Sequence, residues 1–178
     1  MRSHRARTVL VAAVAVAVAL PLAAQEKKPP LSPPAQAEAK IGGATITVDH
    51  SSPRVRGREI FGSLVPYDKV WRTGANAATT LTTDGDLMIG ELHVPAGTYT
   101  LYTLPGESEW QLIVNRQTGQ WGTQYDESQD LGRVAMEVSS LAEPREEMTI
   151  AIRPGEGHRG TLAIEWASTA ATVSILAH

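Results

Sequence analysis

The 178-residue chain contains no cysteine, one phenylalanine and only 5% aromatic residues. Without a thiol there is neither a disulfide nor lipid attachment at a lipobox, so stability in an oxidising compartment must come from packing alone. Positive charge is also scarce: 16 Lys and Arg face 19 Asp and Glu, a formal net charge of −3. A nucleic-acid partner would require a basic face, so nucleic acid is excluded from the expected partners. His50, His93 and His158 are far apart, with no His-x-His or His-x-x-x-His spacing, and no metal site is expected. Catalytic signatures are missing too. There is no Gly-x-Ser-x-Gly elbow, and in Asp49-His50-Ser51-Ser52 neighbouring strand residues point to opposite faces, so Asp49 cannot orient His50 locally.

What is present begins at the N-terminus. Arg2, His4, Arg5 and Arg7 precede an almost purely apolar run from Thr8 to Ala24, closed by Pro21 and the small residues Ala23 and Ala24. This is the layout of an export signal. Its 17 apolar-run residues would span roughly 25 Å as a helix, against a hydrocarbon core of about 30 Å. Residues 1–24 are therefore read as either a cleaved signal peptide or a retained signal-anchor helix. In the second case the arginines stay inside and the rest lies outside. Residues 1–24 hold three arginines and no acid, so the remainder carries 13 basic and 19 acidic residues, a formal charge of −6. The expected location is periplasmic, either soluble or anchored in the inner membrane through residues 8–24.

Residues 25–40 include Pro29, Pro30, Pro33 and Pro34 among Lys, Gln, Glu and Ala. Such a stretch favours extended polyproline geometry and is expected to be a linker. Residues 41–178 then form one domain of ordinary size. Period-two alternation dominates it: Ile46 and Val48; Val134, Met136 and Val138; Met148, Ile150 and Ile152; Leu162, Ile164 and Trp166. Further strands are expected at 78–83, 87–94, 98–104, 109–115 and 172–176, separated by Asp84-Gly85, Pro95-Ala96-Gly97, Pro105-Gly106 and Pro154-Gly155. About nine short strands without a long amphipathic helix predict an all-β fold, an antiparallel β-sandwich preceded by one N-terminal hydrophobic helix. Gly155-Glu156-Gly157-His158-Arg159-Gly160 has the letters of a dinucleotide fingerprint. It leads into another alternating strand rather than a helix, so it is read as a hairpin loop and no cofactor is expected.

Several separated blocks carry a family resemblance: GREIFGSLVPYDKVWRTGANAATT at 57–80, LHVPAGTYTLYTLPG at 92–106 and EWQLIVNRQTGQWG at 109–122. In this order they resemble the bacterial domain of unknown function 2911 family, across most of residues 41–176. The resemblance implies export and a β-rich domain, and carries over no established activity.

Candidate binding residues fall in two long polar stretches, 51–77 and 117–130, where ordered loops commonly hold sites. Arg54, Arg56 and Arg58 alternate with Val55 and Gly57, and in an extended chain their guanidinium groups project to one side, suiting an anionic ligand or an acidic partner surface. Arg72 and Asn76 could donate to a carboxylate or a sugar hydroxyl, with Trp71 as a stacking platform. The alternative is structural: Trp71 plugs one end of the sandwich, Arg72 pairs with an internal acid, and Gly74 and Asn76 supply unusual backbone angles. Trp121, with Tyr125 and Asp126, forms either a groove wall or a satellite cluster beneath a loop. The favoured function is a non-catalytic exported module for binding or assembly, with a protein partner, and an accessory subunit of a membrane complex if the N-terminal helix is retained. The alternative is a free periplasmic binder of a small ligand or carbohydrate, or an uncharacterised enzyme.

Overall fold

The computed structural model describes residues 30–178. The apolar segment 8–24 and its expected helix lie outside the described residues. Nine antiparallel strands are present: β1 (Pro34–Ile41), β2 (Ala44–Ser51), β3 (Thr79–Thr83), β4 (Leu87–Ile89), β5 (Leu92–Val94), β6 (Gly97–Pro105), β7 (Trp110–Asn115), β8 (Asp130–Pro154) and β9 (Arg159–Ala177). The helical content of the described residues is a 3-10 turn at Glu127–Gln129, and none of them form a helix long and apolar enough to cross a membrane.

The strands run β1-β2-β3-β6-β7-β8-β9-β4-β5 in one hydrogen-bonded series. The 25-residue β8 makes two layers out of it. Its first part, Asp130–Met136, pairs with β7, and the rest, Glu137–Pro154, pairs with β9. A strand that switches partners in this way turns the corner of a sandwich. Between Ser140 and Thr149 the register with β9 shifts twice, and Ala167 on the facing strand has φ +50°. Bulges of this kind let a strand bend without ending. That explains why two expected strands on each side of the bend, 133–138 with 148–152 and 161–166 with 172–176, are continuous. Conversely, the expected strand 87–94 is split by a Gly90-Glu91 turn into β4 and β5.

β1 corrects the expected linker. Its second half, from Pro34, is a strand whose alanines Ala35, Ala37 and Ala39 are half-buried while Gln36, Glu38 and Lys40 face solvent. Pro34 stands at the first strand position, where its missing N–H is tolerated. Gly42 and Gly43, at φ +57° and +100°, form the two-residue turn that joins β1 to β2 with the twist hairpins require.

Ile46, Val48, Leu81, Leu101, Leu112 and Val114 fill the core from one layer, and Leu87, Ile89, Leu162, Ile164, Trp166 and Ile175 from the other; all are essentially inaccessible. Each such side chain contributes about 1.5–3 kcal/mol when buried. At one end the core becomes aromatic. Trp71 stacks on Trp166 with ring centroids 5.8 Å apart and planes at 15°, and Phe61 meets Trp71, Trp110 and Trp166 edge-on.

Candidate functional site: an arginine-lined cavity beside the aromatic cluster

The site is built by the loop between β2 and β3. Just beyond β2 the chain pairs with β8: Met148 donates its N–H to Pro53 O, and Val55 donates to Glu146 O, each near 2.9 Å or less. It then reverses. Arg58 N–H donates to Val55 O at 3.1 Å, with Arg56 and Gly57 at φ +51° and +68°. Two central residues with positive φ define a type I′ turn. The expected extended segment at Arg54–Arg58 is therefore a tight turn, because Gly57 accommodates the left-handed backbone that the reversal needs. The three arginines nevertheless share one cavity.

Further on, Trp71 exchanges both backbone hydrogen bonds with Thr103 of β6, at 2.7 and 2.9 Å. Thr73 and Asn76 take positive φ of 54° and 60°. The buried Thr73 hydroxyl donates to Trp71 O (3.3 Å) or to Thr103 Oγ1 (3.1 Å), and Thr79 Oγ1 donates to Thr73 O at 2.8 Å. This fixes Trp71 and Arg72 on rigid backbone.

Arg54, Arg56, Arg58, Arg72, Trp71 and Trp166 together line a cavity of about 280 Å³. Leu31 and Ser32 form part of its wall, held there because Arg56 Nη2 donates to Leu31 O at 2.7 Å and Ser52 N–H to Pro33 O at 2.8 Å. Arg54 pairs with Glu147. The other three guanidinium groups bond backbone carbonyls: Arg56 to Leu31 O, Arg58 to Val55 O and Arg54 O, Arg72 to Gly74 O at 3.3 Å. Among the described residues none of these three forms an ion pair with a carboxylate. Three arginines elsewhere in the fold pair with acids, Arg145 and Arg153 with the buried Glu165 and Arg133 with Glu127 and Asp130, whereas Arg116, like the cavity arginines, bonds a backbone carbonyl, Asp130 O at 3.0 Å. Arg72 thus lacks the internal acid that the structural alternative required, whereas Trp71 does plug the aromatic end of the sandwich.

The remaining candidates divide. Asn76 does not line the cavity; its Nδ2 lies 3.4 Å from Ser51 Oγ and 3.5 Å from Ser32 O. Trp121 is half exposed and bridges Ala77 through the backbone, while its neighbour Gly122 lies under the Arg72 stem, where a Cβ would come within 2.7 Å of Arg72 Cδ. Tyr125 belongs elsewhere. Its hydroxyl donates to Asp130 Oδ2 at 2.7 Å and accepts from Arg133 Nη2 at 2.8 Å, and its ring meets Tyr102 edge-on at 4.9 Å. Burial, reinforced by the Asp130 carboxylate, pushes the Tyr125 phenol up to about 12. It ties the 117–130 loop to β8, away from the arginines. Trp166, read from sequence as a strand residue alone, is the wall residue that periodicity could not reveal, since it only becomes part of the site through the loop folded against it.

His50 is buried, and desolvation lowers its pKa; His93 lies 3.4 Å from Asp86; His158 packs over Gly42. Among the described residues no group of three or more His, Asp and Glu is placed to hold a metal ion.

The fold and the cavity define an antiparallel β-sandwich with a loop-built site at one end. Residues 32–175 match the family described as a protein of unknown function, DUF2911, and the chain belongs to that family. No curated protein and no solved structure matches it.

Proposed function

We propose that the protein is a non-catalytic, exported binding module, and that the arginine-lined cavity is where it holds an anionic group. The observation that supports this reading is the state of Arg56, Arg58 and Arg72. Three guanidinium groups converge on one cavity and bond only backbone carbonyls among the described residues. A guanidinium has five donors in a planar fork matched to carboxylate or phosphate. With Arg54 paired to Glu147 and the Glu146 carboxylate held by the Arg56 backbone N–H, the cluster keeps a net positive charge whose self-repulsion an incoming anion relieves. Export is proposed from the basic-apolar-small layout of residues 1–24. If that segment is retained, residues 25–33 tether the cavity wall at Leu31 and Ser32 directly to the outer face of the membrane, which suits an accessory subunit of a membrane complex.

The test is to isolate the native protein from the cell envelope in mild detergent and weigh it intact together with whatever stays bound. The reading predicts a bound species that an Arg56→Glu/Arg58→Glu variant releases, and the same spectrum reports whether residues 1–24 remain. A protein that is bare in both forms contradicts it.

A further inference from the structure

We infer that the cavity takes a small amphipathic oxyanion: a carboxylate or phosphate head carried on a single apolar ring or a short apolar body. This rests on the binding-module reading and deepens it by naming the ligand class.

The polar half of the site comes from the accounting of donors. Of five N–H donors on each guanidinium, Arg56 and Arg72 each spend one on a carbonyl and Arg58 spends two. Arg54 is neutralised by Glu147, and Glu146 Oε1 already accepts the Arg56 backbone N–H at 2.9 Å. The local excess is therefore positive but moderate, which fits a mono- or dianion rather than a polyanion. A second donor is stranded beside them. Trp166 is 1% exposed and lines the cavity, and its indole N–H has no acceptor among the described residues. Buried donors of native proteins almost always have partners, so an orphan at a cavity wall is the kind of group a ligand satisfies.

The apolar half is equally specific. Trp71, Trp166, Val65, Leu64 and Leu31 form the apolar part of the wall, and among the described residues Leu31 and Leu64 are the large aliphatic side chains left most open to solvent, at 72% and 45%. A bare inorganic ion would leave this surface wet. An enclosed cavity of about 150 Å³ holds benzene, so the 280 Å³ here has room for one ring with its charged group. Carbonyl bonds that hold the exposed Arg56 and Arg58 and a Trp71 backbone locked to β6 leave the site partly preformed, which limits the ordering cost of binding.

The experiment titrates the full-length protein with four probes, following tryptophan fluorescence and heat: phenyl phosphate, benzoate, benzamide and inorganic phosphate. Phenyl phosphate and benzoate should bind at least tenfold more tightly than benzamide, which keeps the ring and loses the charge, and more tightly than inorganic phosphate, which keeps the charge and loses the ring. The preference between the two binders reports which head the site favours. Arg56→Ala/Arg58→Ala should weaken both by tenfold or more. If that variant does not fold, Arg56→Lys/Arg58→Lys keeps the charge without the fork and should still weaken benzoate several-fold. Benzamide equal to benzoate, or inorganic phosphate equal to phenyl phosphate, overturns the inference. If no probe binds while the Glu variant still releases a native bound species, the amphipathic-oxyanion assignment fails and the binding-module reading survives.

Discussion

Arg72→Ala separates holding the fold from holding a ligand. In the folded protein Arg72 makes one long hydrogen bond, 3.3 Å from Nε to Gly74 O, and lays its methylene stem over Gly122. A hydrogen bond of that quality contributes about 0.5–1 kcal/mol net, and the partly buried stem adds about the same, at roughly 0.8 kcal/mol for each fully buried methylene. The stability cost is thus about 1–2 kcal/mol, a modest part of the 5–15 kcal/mol or so available to an ordinary domain. The loss in binding is larger. A charge-assisted hydrogen bond is worth about 1.5–3 kcal/mol, or roughly 10–150-fold in affinity. Urea unfolding followed by tryptophan fluorescence gives the first quantity, and calorimetric titration with phenyl phosphate at fixed ionic strength the second. The two should move by different amounts, with the midpoint shifted slightly and the affinity down at least tenfold. A variant that unfolds, or loses 4 kcal/mol or more, refutes the reasoning and makes Arg72 a structural residue. A folded variant with unchanged affinity removes Arg72 from the site.

Four other outcomes follow from the same structure. Trp71→Ala removes the stack on Trp166 and two edge-on contacts and should cost about 3 kcal/mol, the low end for a large aromatic because Trp71 is only half-buried, read as a fall in urea midpoint. Tyr125 should ionise near pH 12 in the folded state, against about 10 unfolded. Its folded pKa is raised, so its contribution is complete below pH 10 and disappears as pH climbs through about 12; absorbance titration at alkaline pH should show Asp130→Asn bringing that transition down. His50 behaves oppositely. Burial lowers its pKa from the ordinary 6.5, so the unfolded chain takes up the proton first and stability drains away as pH falls below that value; His50→Gln should flatten the acid side of the stability profile. Gly42→Ala combines a positive φ of 57° with a Cβ placed 2.5 Å from His158 Nδ1, and should cost about 1–2 kcal/mol while loosening hydrogen-exchange protection in β1.

The strands were readable wherever residue types alternate. Ile46 and Val48 alternate with more open polar residues because one face of β2 meets the other layer, whereas Leu162, Ile164 and Trp166 alternate with Ala163 and Glu165, which are buried on the opposite face. Alternation cannot report continuity. The exposed stretch from Ser139 to Glu147 has no apolar period, so β8 reads as two strands although its backbone stays extended across the corner. β1 was hidden by the prolines that lead into it and by alanines too small to mark a face. Its signal was the Gly42-Gly43 pair, a two-residue hairpin turn between Ile41 and Ala44 that makes the preceding residues a strand. For the site, residue type pointed to Arg54, Arg56, Arg58, Trp71 and Arg72, and these do converge. Tyr125 failed as a candidate because proximity in sequence to Trp121 says nothing about which side of a loop a side chain serves. Leu31, Leu64 and Trp166 enter the cavity only through tertiary contact, from three segments at least 33 residues apart in the chain, where no local pattern could connect them.

The central claim, that the arginine and tryptophan cavity binds an anion, is tested most directly by magnetic resonance of the side chains that would touch it. Uniformly nitrogen-labelled protein titrated with phenyl phosphate should show the indole N–H of Trp166 and Trp71 and the guanidinium Nε–H signals of Arg56, Arg58 and Arg72 shifting together along one binding curve, with the exposed Trp121 unmoved. Shifts confined to Trp121, or none at saturating probe, would contradict it.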